Sequence, residues 1–178
     1  MRARLLAGFA VVVLTFAGAM ACGDDGGNSE QDDLQDYFVD IEETFQTAHD
    51  QSEADEASFE TELSAAQTLD EQIAAYDLYV ARVLSNFSAA IRDMDNADSP
   101  AQVAADHDQF LQAINDATTA ALEFRTTVGA AVDELSAQAA VTDFEGALGG
   151  ITASRDEACT NLQAAADAAT IEVDLLCE

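Results

Sequence analysis

The sequence predicts an all-α protein: an antiparallel four-helix bundle with an extended C-terminal tail stapled by a disulfide. Three observations carry this expectation. Large apolar residues recur at steps of three and four over long stretches, the spacing of one face of an α-helix. Alanine is by far the commonest residue in a chain with one proline and no tryptophan, and alanine loses no side-chain entropy on entering a helix. Nothing alternates as a strand would before Ile171, Glu172, Val173, Asp174 and Leu175, and a lone strand has no sheet to join.

The first stripe is Leu34, Phe38, Ile41, Phe45 and Ala48, resuming at Phe59 and Leu63. Between Gln46 and Ser58 the only apolar residues are alanines, so Gln51 to Ala54 is a candidate break. Thr68 to Glu71 has the capping-box spacing and opens a second helix with the stripe Ile73, Tyr76, Val80, Val83, Phe87, Ile91 and Met94. That helix should stop in the acidic turn Asp95 to Asp98. Ser99 as N-cap, Pro100 at the first helical position and Gln102 predict the start of a third helix. Its stripe runs Val103, His107, Phe110, Ile114, Ala117, Ala121, Phe124, Val128, Val132, Leu135. A further capping box at Thr142 to Glu145 predicts a fourth helix bearing Phe144, Leu148, Ile151, Ala158 and Leu162. Gly149 and Gly150 weaken that helix by ~1 kcal/mol each relative to alanine, and Gly150 could mark a close helix approach. Alanines at core positions let helices approach, while acids cover the outside.

The chain has 178 residues with 35 acids against six basic residues, all arginines, for a formal charge of -29. This charge excludes nucleic-acid binding, which needs a cationic surface. A domain so charged repels itself and calls for screening. Together with the absence of lysine, that suggests a high-GC or salt-adapted host.

At the N-terminus, Arg2 and Arg4 precede an uncharged apolar run from Leu5 to Ala17. The run is too short for a bilayer core, which takes about 20 helical residues, and it has the pattern of a signal peptide. Gly18, Ala19, Met20 and Ala21 stand immediately before Cys22, and Gly23 to Ser29 follow it. This arrangement resembles the lipobox of bacterial lipoproteins. The resemblance implies that residues 1–21 are removed as a signal peptide and that the Cys22 thiol carries a diacylglycerol. Residues 22–31 would then hold the lipidated cysteine and a flexible tether, and residues 32–178 the acidic bundle. Ala19 stands where the family more often has leucine, and cleavage after Ala21 as an ordinary A-x-A signal is the alternative. Losing residues 1–21 leaves four arginines against 35 acids, a side-chain charge of -31. Anionic lipids would repel such a domain, so the expected membrane partner is reached through the acyl chains.

Cys159 and Cys177 are the other two cysteines, and an exported chain meets an oxidising compartment. A helix running from Cys159 to Ala169 rises ~15 Å, and an extended segment over 171–177 returns ~20 Å. The tail can therefore fold back, pair the two sulfurs and bury Ile171, Val173 and Leu175. The stretch Glu157-Ala-Cys159-Thr-Asn-Leu162-Gln163-Ala-Ala-Ala166-Asp167 with Ile171-Glu-Val173-Asp174-Leu175-Leu-Cys177 is similar to the ends of uncharacterised extracytoplasmic lipoproteins of high-GC bacteria. The Pro100 to Phe110 segment is similar in style to theirs. The resemblance implies an anchored helical domain and no chemistry.

Candidate chemistry is sparse. His107 lies in an apolar stripe between Asp106 and Asp108, but a di-iron bundle needs Glu three residues before His; Ala104 precedes His107, and Gln46 precedes His49. A satisfied core histidine is the plainer reading. Asp93, Asp95, Asn96 and Asp98 resemble the start of a calcium loop, yet the sixth position is not glycine and the twelfth is Ala104. No nucleophile elbow, phosphate loop or H-E-x-x-H motif is present, so the chain reads as no enzyme, with no catalytic residue and no cofactor. The expected role is an interaction or structural module with an envelope protein partner. The alternative is a binding protein whose interhelical pocket near His107, Tyr76, Tyr79 and Arg125 takes a cation or small ligand. Weak divalent-cation binding by so many carboxylates is expected in either case.

Overall fold

A computed structural model describes residues 29–177 and shows four helices: α1 Ser29–Ala65, α2 Leu69–Asn96, α3 Ala104–Gly129 and α4 Glu134–Ala168. Consecutive helices pack side by side, α1 on α2, α2 on α3 and α3 on α4, so the bundle runs up, down, up, down as expected. Residues 66–68 and 130–133 close one end, the tip; residues 97–103 close the other, the base, where α1 starts and α4 stops. Residues 1–28, with Cys22 and most of the tether, lie outside the described residues.

α1 begins at Ser29, so positions 29–31 of the expected tether are helical, with Glu30 and Asp32 in the first turn where the helix dipole favours acids. The helix does not break at Gln51 to Ala54. Between Ser29 and Ala65 there is no glycine or proline, so nothing interrupts the backbone ladder even where apolar contacts run out. Two fixings bracket the stretch from 46 to 58, in which no residue is buried. Toward the base, Leu34, Tyr37, Phe38 and Ile41 enter the core. Toward the tip, Phe59 stacks on Tyr79 at 4.5 Å, and Arg82 donates to both Glu62 oxygens at 3.1 and 3.0 Å. Arg82 Nε also lies 3.3 Å from Asp55, an ion pair too poorly aligned to count as a hydrogen bond.

The capping box at Thr68 and Glu71 forms as expected and starts α2. The next two starts differ from expectation. Ser99 does not cap α3: residues 101–103 make a turn closed by Val103 N to Pro100 O at 3.0 Å, and the helix proper begins at Ala104. Val103 is fully buried beside Met94 and Ala97, so filling the base of the core outweighs a side-chain cap. α3 then ends at Gly129, not near Leu135. The fourth helix starts at Glu134, not at Thr142, because Asp133 and Ser136 form their own capping box, with Ser136 N donating to Asp133 at 2.8 Å. Val132 and Leu135 are therefore not stripe residues; they stand 86% and 76% exposed at the tip. Gly150 marks no close approach: a methyl group at Gly146, Gly149 or Gly150 would meet nothing within 4 Å.

The tail binds as expected and does more than cover α4. The Cys159–Cys177 disulfide forms, with Cα atoms 5.4 Å apart. α4 ends in a Schellman turn, with Ile171 N donating to Ala166 O at 2.9 Å and Thr170 at φ 61°. From there the tail runs antiparallel to α4 and parallel to α1. Gln163 accepts from Leu175 N and donates to Val173 O, both at 3.0 Å. On the other side, Gln31 donates to Ala169 O at 2.9 Å and Asp174 N donates to Glu42 at 2.8 Å. After the turn at Ala169 and Thr170 the extended segment follows α1 in the same direction, so the contacts step along α1 from Gln31 to Glu42 as they step along the tail from Ala169 to Asp174. Ile171 and Leu175 are buried and Val173 half-buried, so the tail fills the seam between the first and last helices.

Candidate functional site

Two places in the base half of the bundle carry polar chemistry. The first is His107, which is 5% exposed and the one buried polar or charged residue among those described. It sits one turn into α3, level with the first turns of α1, where Tyr37 is 2% exposed. The Tyr37 hydroxyl and His107 Nδ1 are 3.0 Å apart, and the rings lie tilted with centroids at 5.8 Å. Burial holds the histidine below its ordinary value of 6.5, opposed by Asp108 and Asp95. Burial likewise raises the Tyr37 phenol well above its ordinary range, with Asp106 adding to the effect. At neutral pH the pair is therefore uncharged, and a neutral imidazole can accept from the phenol while keeping its proton on Nε2. Asp106 in turn accepts from Asn161 of α4 at 2.9 Å. Histidine here is a satisfied core residue, as its place in the stripe suggested.

The second place is a groove of about 350 Å³ between α1 and α2. It exists because Thr44, Thr47 and Ala48 on α1 and Ala89 and Ala90 on α2 are too small to fill the space between the helices. Asp40, Glu43 and Asp93 bring three carboxylates to its wall, and Gln51, Asn86 and Asn96 bring amides. Asp93, Asp95 and Asn96 belong to the last turn of α2, so they do not form the loop that a calcium site of that pattern requires. Among the described residues, no group of three or more histidines, cysteines or acids is placed to hold a metal ion.

The residues expected to share a pocket do not converge. Arg125 is 18 positions along α3 from His107, ~27 Å of helix, and it pairs at the surface with both oxygens of Asp77. Tyr76 and Tyr79 pack on Phe59, and Tyr76 also meets Phe124 edge-on at 5.5 Å. Burial raises both phenols, helped by Glu145 at Tyr76 and by Glu56 at Tyr79. Tyr76 packs against the tip core, and Tyr79 is half-buried beside Phe59. His49 is partly exposed, 3.8 Å from Glu53 one turn on.

Sequence reasoning missed Tyr37. Its signal was present: Tyr37 falls three after Leu34 and four before Ile41, so it shares their buried face, and a phenol on that face needs a partner. Cys22 lies outside the described residues. Comparison with family models, with curated proteins and with solved structures finds no match to this chain.

Proposed function

We propose that this chain is a bacterial lipoprotein, anchored on the outer side of a membrane by a lipid on Cys22, whose acidic helical domain serves as a non-enzymatic interaction or structural module of the envelope. The observation that carries the reading is the Cys159–Cys177 disulfide, because such bonds persist where a chain has been exported to an oxidising compartment. It agrees with the signal-peptide pattern and with the lipobox-like residues before Cys22. No helix among the described residues is long and apolar enough to cross a membrane, so in this reading the acyl chains make the attachment. The test is expression of the full chain in a lipoprotein-processing bacterium, followed by membrane fractionation and intact mass. Wild type should be found in the membrane fraction with a diacylglyceryl group on Cys22, and Cys22→Ser should carry none. A wild-type chain cut after Ala21 and bearing no lipid refutes the anchor.

A second reading, a lipoprotein that binds a cation or small ligand, draws on the α1–α2 groove, whose volume is in the range of small-ligand sites. It moves the site from His107 to the groove, whose wall offers a small ligand the carboxylates of Asp40, Glu43 and Asp93 although these are not placed to hold a metal ion together. Native mass spectrometry of protein from its own membranes distinguishes the readings: a stoichiometric retained species favours the groove, its absence the module.

A further inference from the structure

We infer that His107 and Tyr37 form a proton-operated interlock, which holds the first turns of α1 against α3 at neutral pH and releases them in mild acid. The inference goes beyond the anchoring reading and does not depend on it.

The geometry supplies a bistable element. In the neutral state His107 turns inward to the Tyr37 hydroxyl, 3.0 Å away, and both side chains are almost wholly removed from solvent. A protonated imidazole has no acceptor left, so Tyr37 loses its hydrogen-bond acceptor, and the charge sits in an apolar setting without a carboxylate in contact. The anionic partners are outside. Asp95 at the end of α2 and Asp108 on α3 are exposed and both favour the charged histidine. Asp106, half-buried, acts on Tyr37 and is tied to Asn161 of α4. The groups around the pair are thus a phenol from α1, acids from α2 and α3, and an amide from α4. Protonation therefore favours a state in which the ring swings out to Asp95 or Asp108, which pulls the partner from Tyr37.

The sign of the pH dependence follows. Because the native histidine titrates below its unfolded value of 6.5, the neutral pair stabilises the closed state fully above pH 6.5. That contribution falls as pH drops through the native value. Between those two values an opening that takes up one proton becomes about tenfold more favourable per pH unit.

The test is native-state hydrogen exchange on the full chain from pH 7.5 to 5.5, corrected for intrinsic rates, with NMR of the two histidine rings. Expected is an opening constant for amides 34–41 that rises as pH falls below 6.5, approaching at most about tenfold per pH unit as long as the native ring stays neutral, while amides 117–128 of α3 stay level. In His107→Phe the rise at 34–41 should vanish. A flat wild-type profile, an unchanged slope in His107→Phe, or equal loss of protection at 117–128 overturns the inference. Tyr37→Phe guards against a His107 variant that fails to fold: it removes the bond of the neutral state and should move the His107 ring titration upward. An unmoved titration also overturns the interlock.

Discussion

Removing the disulfide by Cys159→Ala with Cys177→Ala tests whether the tail is a working part of the bundle. The bridge closes a loop with a sequence separation of 18. The loop-closure relation, -2.1 - 1.5R ln 18, corresponds to about 3 kcal/mol at 25 °C. For a domain of this size that is a fall in Tm of roughly 10 °C, measured by circular dichroism at 222 nm with urea unfolding as a check. A second substitution separates the bridge from the packing it enforces. Leu175 is fully buried against the base core, so Leu175→Ala in the bridged protein should cost roughly 2–5 kcal/mol. If the tail leaves the α1–α4 seam once the bridge is gone, the same substitution should cost almost nothing in the double-alanine background, a coupling that a double-mutant cycle reads directly. A loss below 1 kcal/mol for the double-alanine variant would refute the view that the bridge constrains the chain. An equal Leu175→Ala cost in both backgrounds would show that the tail docks without it.

Other outcomes follow from local geometry. Thr170, a β-branched residue at φ 61° in the Schellman turn, should be improved by Thr170→Gly, by about 1 kcal/mol in urea unfolding. Phe38→Ala, at a fully buried position, should cost roughly 3–5 kcal/mol, whereas Val132→Ser and Leu135→Ser at the exposed tip should each stay within about 0.5 kcal/mol. Phe38 and Val132 both looked like stripe residues, so the contrast tests where α3 ends. Because the chain carries -29, Tm should rise between 50 mM and 1 M sodium chloride as repulsion is screened, and an unchanged Tm would remove the argument for salt adaptation.

The fold class was legible because it rests on local rules; of the site, only the place of His107 on a buried stripe was. The stripes of α1 and α2 report directly which face is buried, and the Thr68 and Glu71 box marks a start that tertiary contacts do not override. The sequence leaves a break at Gln51 to Ala54 open, and the helix runs through it because a gap in apolar residues weakens packing without interrupting a helix. The start of α4 was misjudged because Asp133 and Ser136 cap each other with a serine where the familiar pattern has glutamate. The end of α3 followed from it, since Val132 and Leu135 continue the spacing of the stripe although the helix has already stopped at Gly129. The pocket around His107, Tyr76, Tyr79 and Arg125 does not form because His107 lies toward the base while Tyr76, Tyr79 and Arg125 lie toward the tip, Arg125 ~27 Å along α3 from His107.

By itself the sequence determined the class of the protein, its acidic exterior, its cysteine pairing and the address its N-terminus resembles. These depend on periodicity, composition and short motifs, each readable within a few turns of chain. Only the tertiary structure decided that the tail fills the seam between α1 and α4, that small residues leave a groove between α1 and α2, and that His107 meets Tyr37. Tyr37 and His107 are 70 positions apart and Gln31 and Ala169 are 138 apart. Such pairings are set by how whole helices pack, a property that no local pattern encodes.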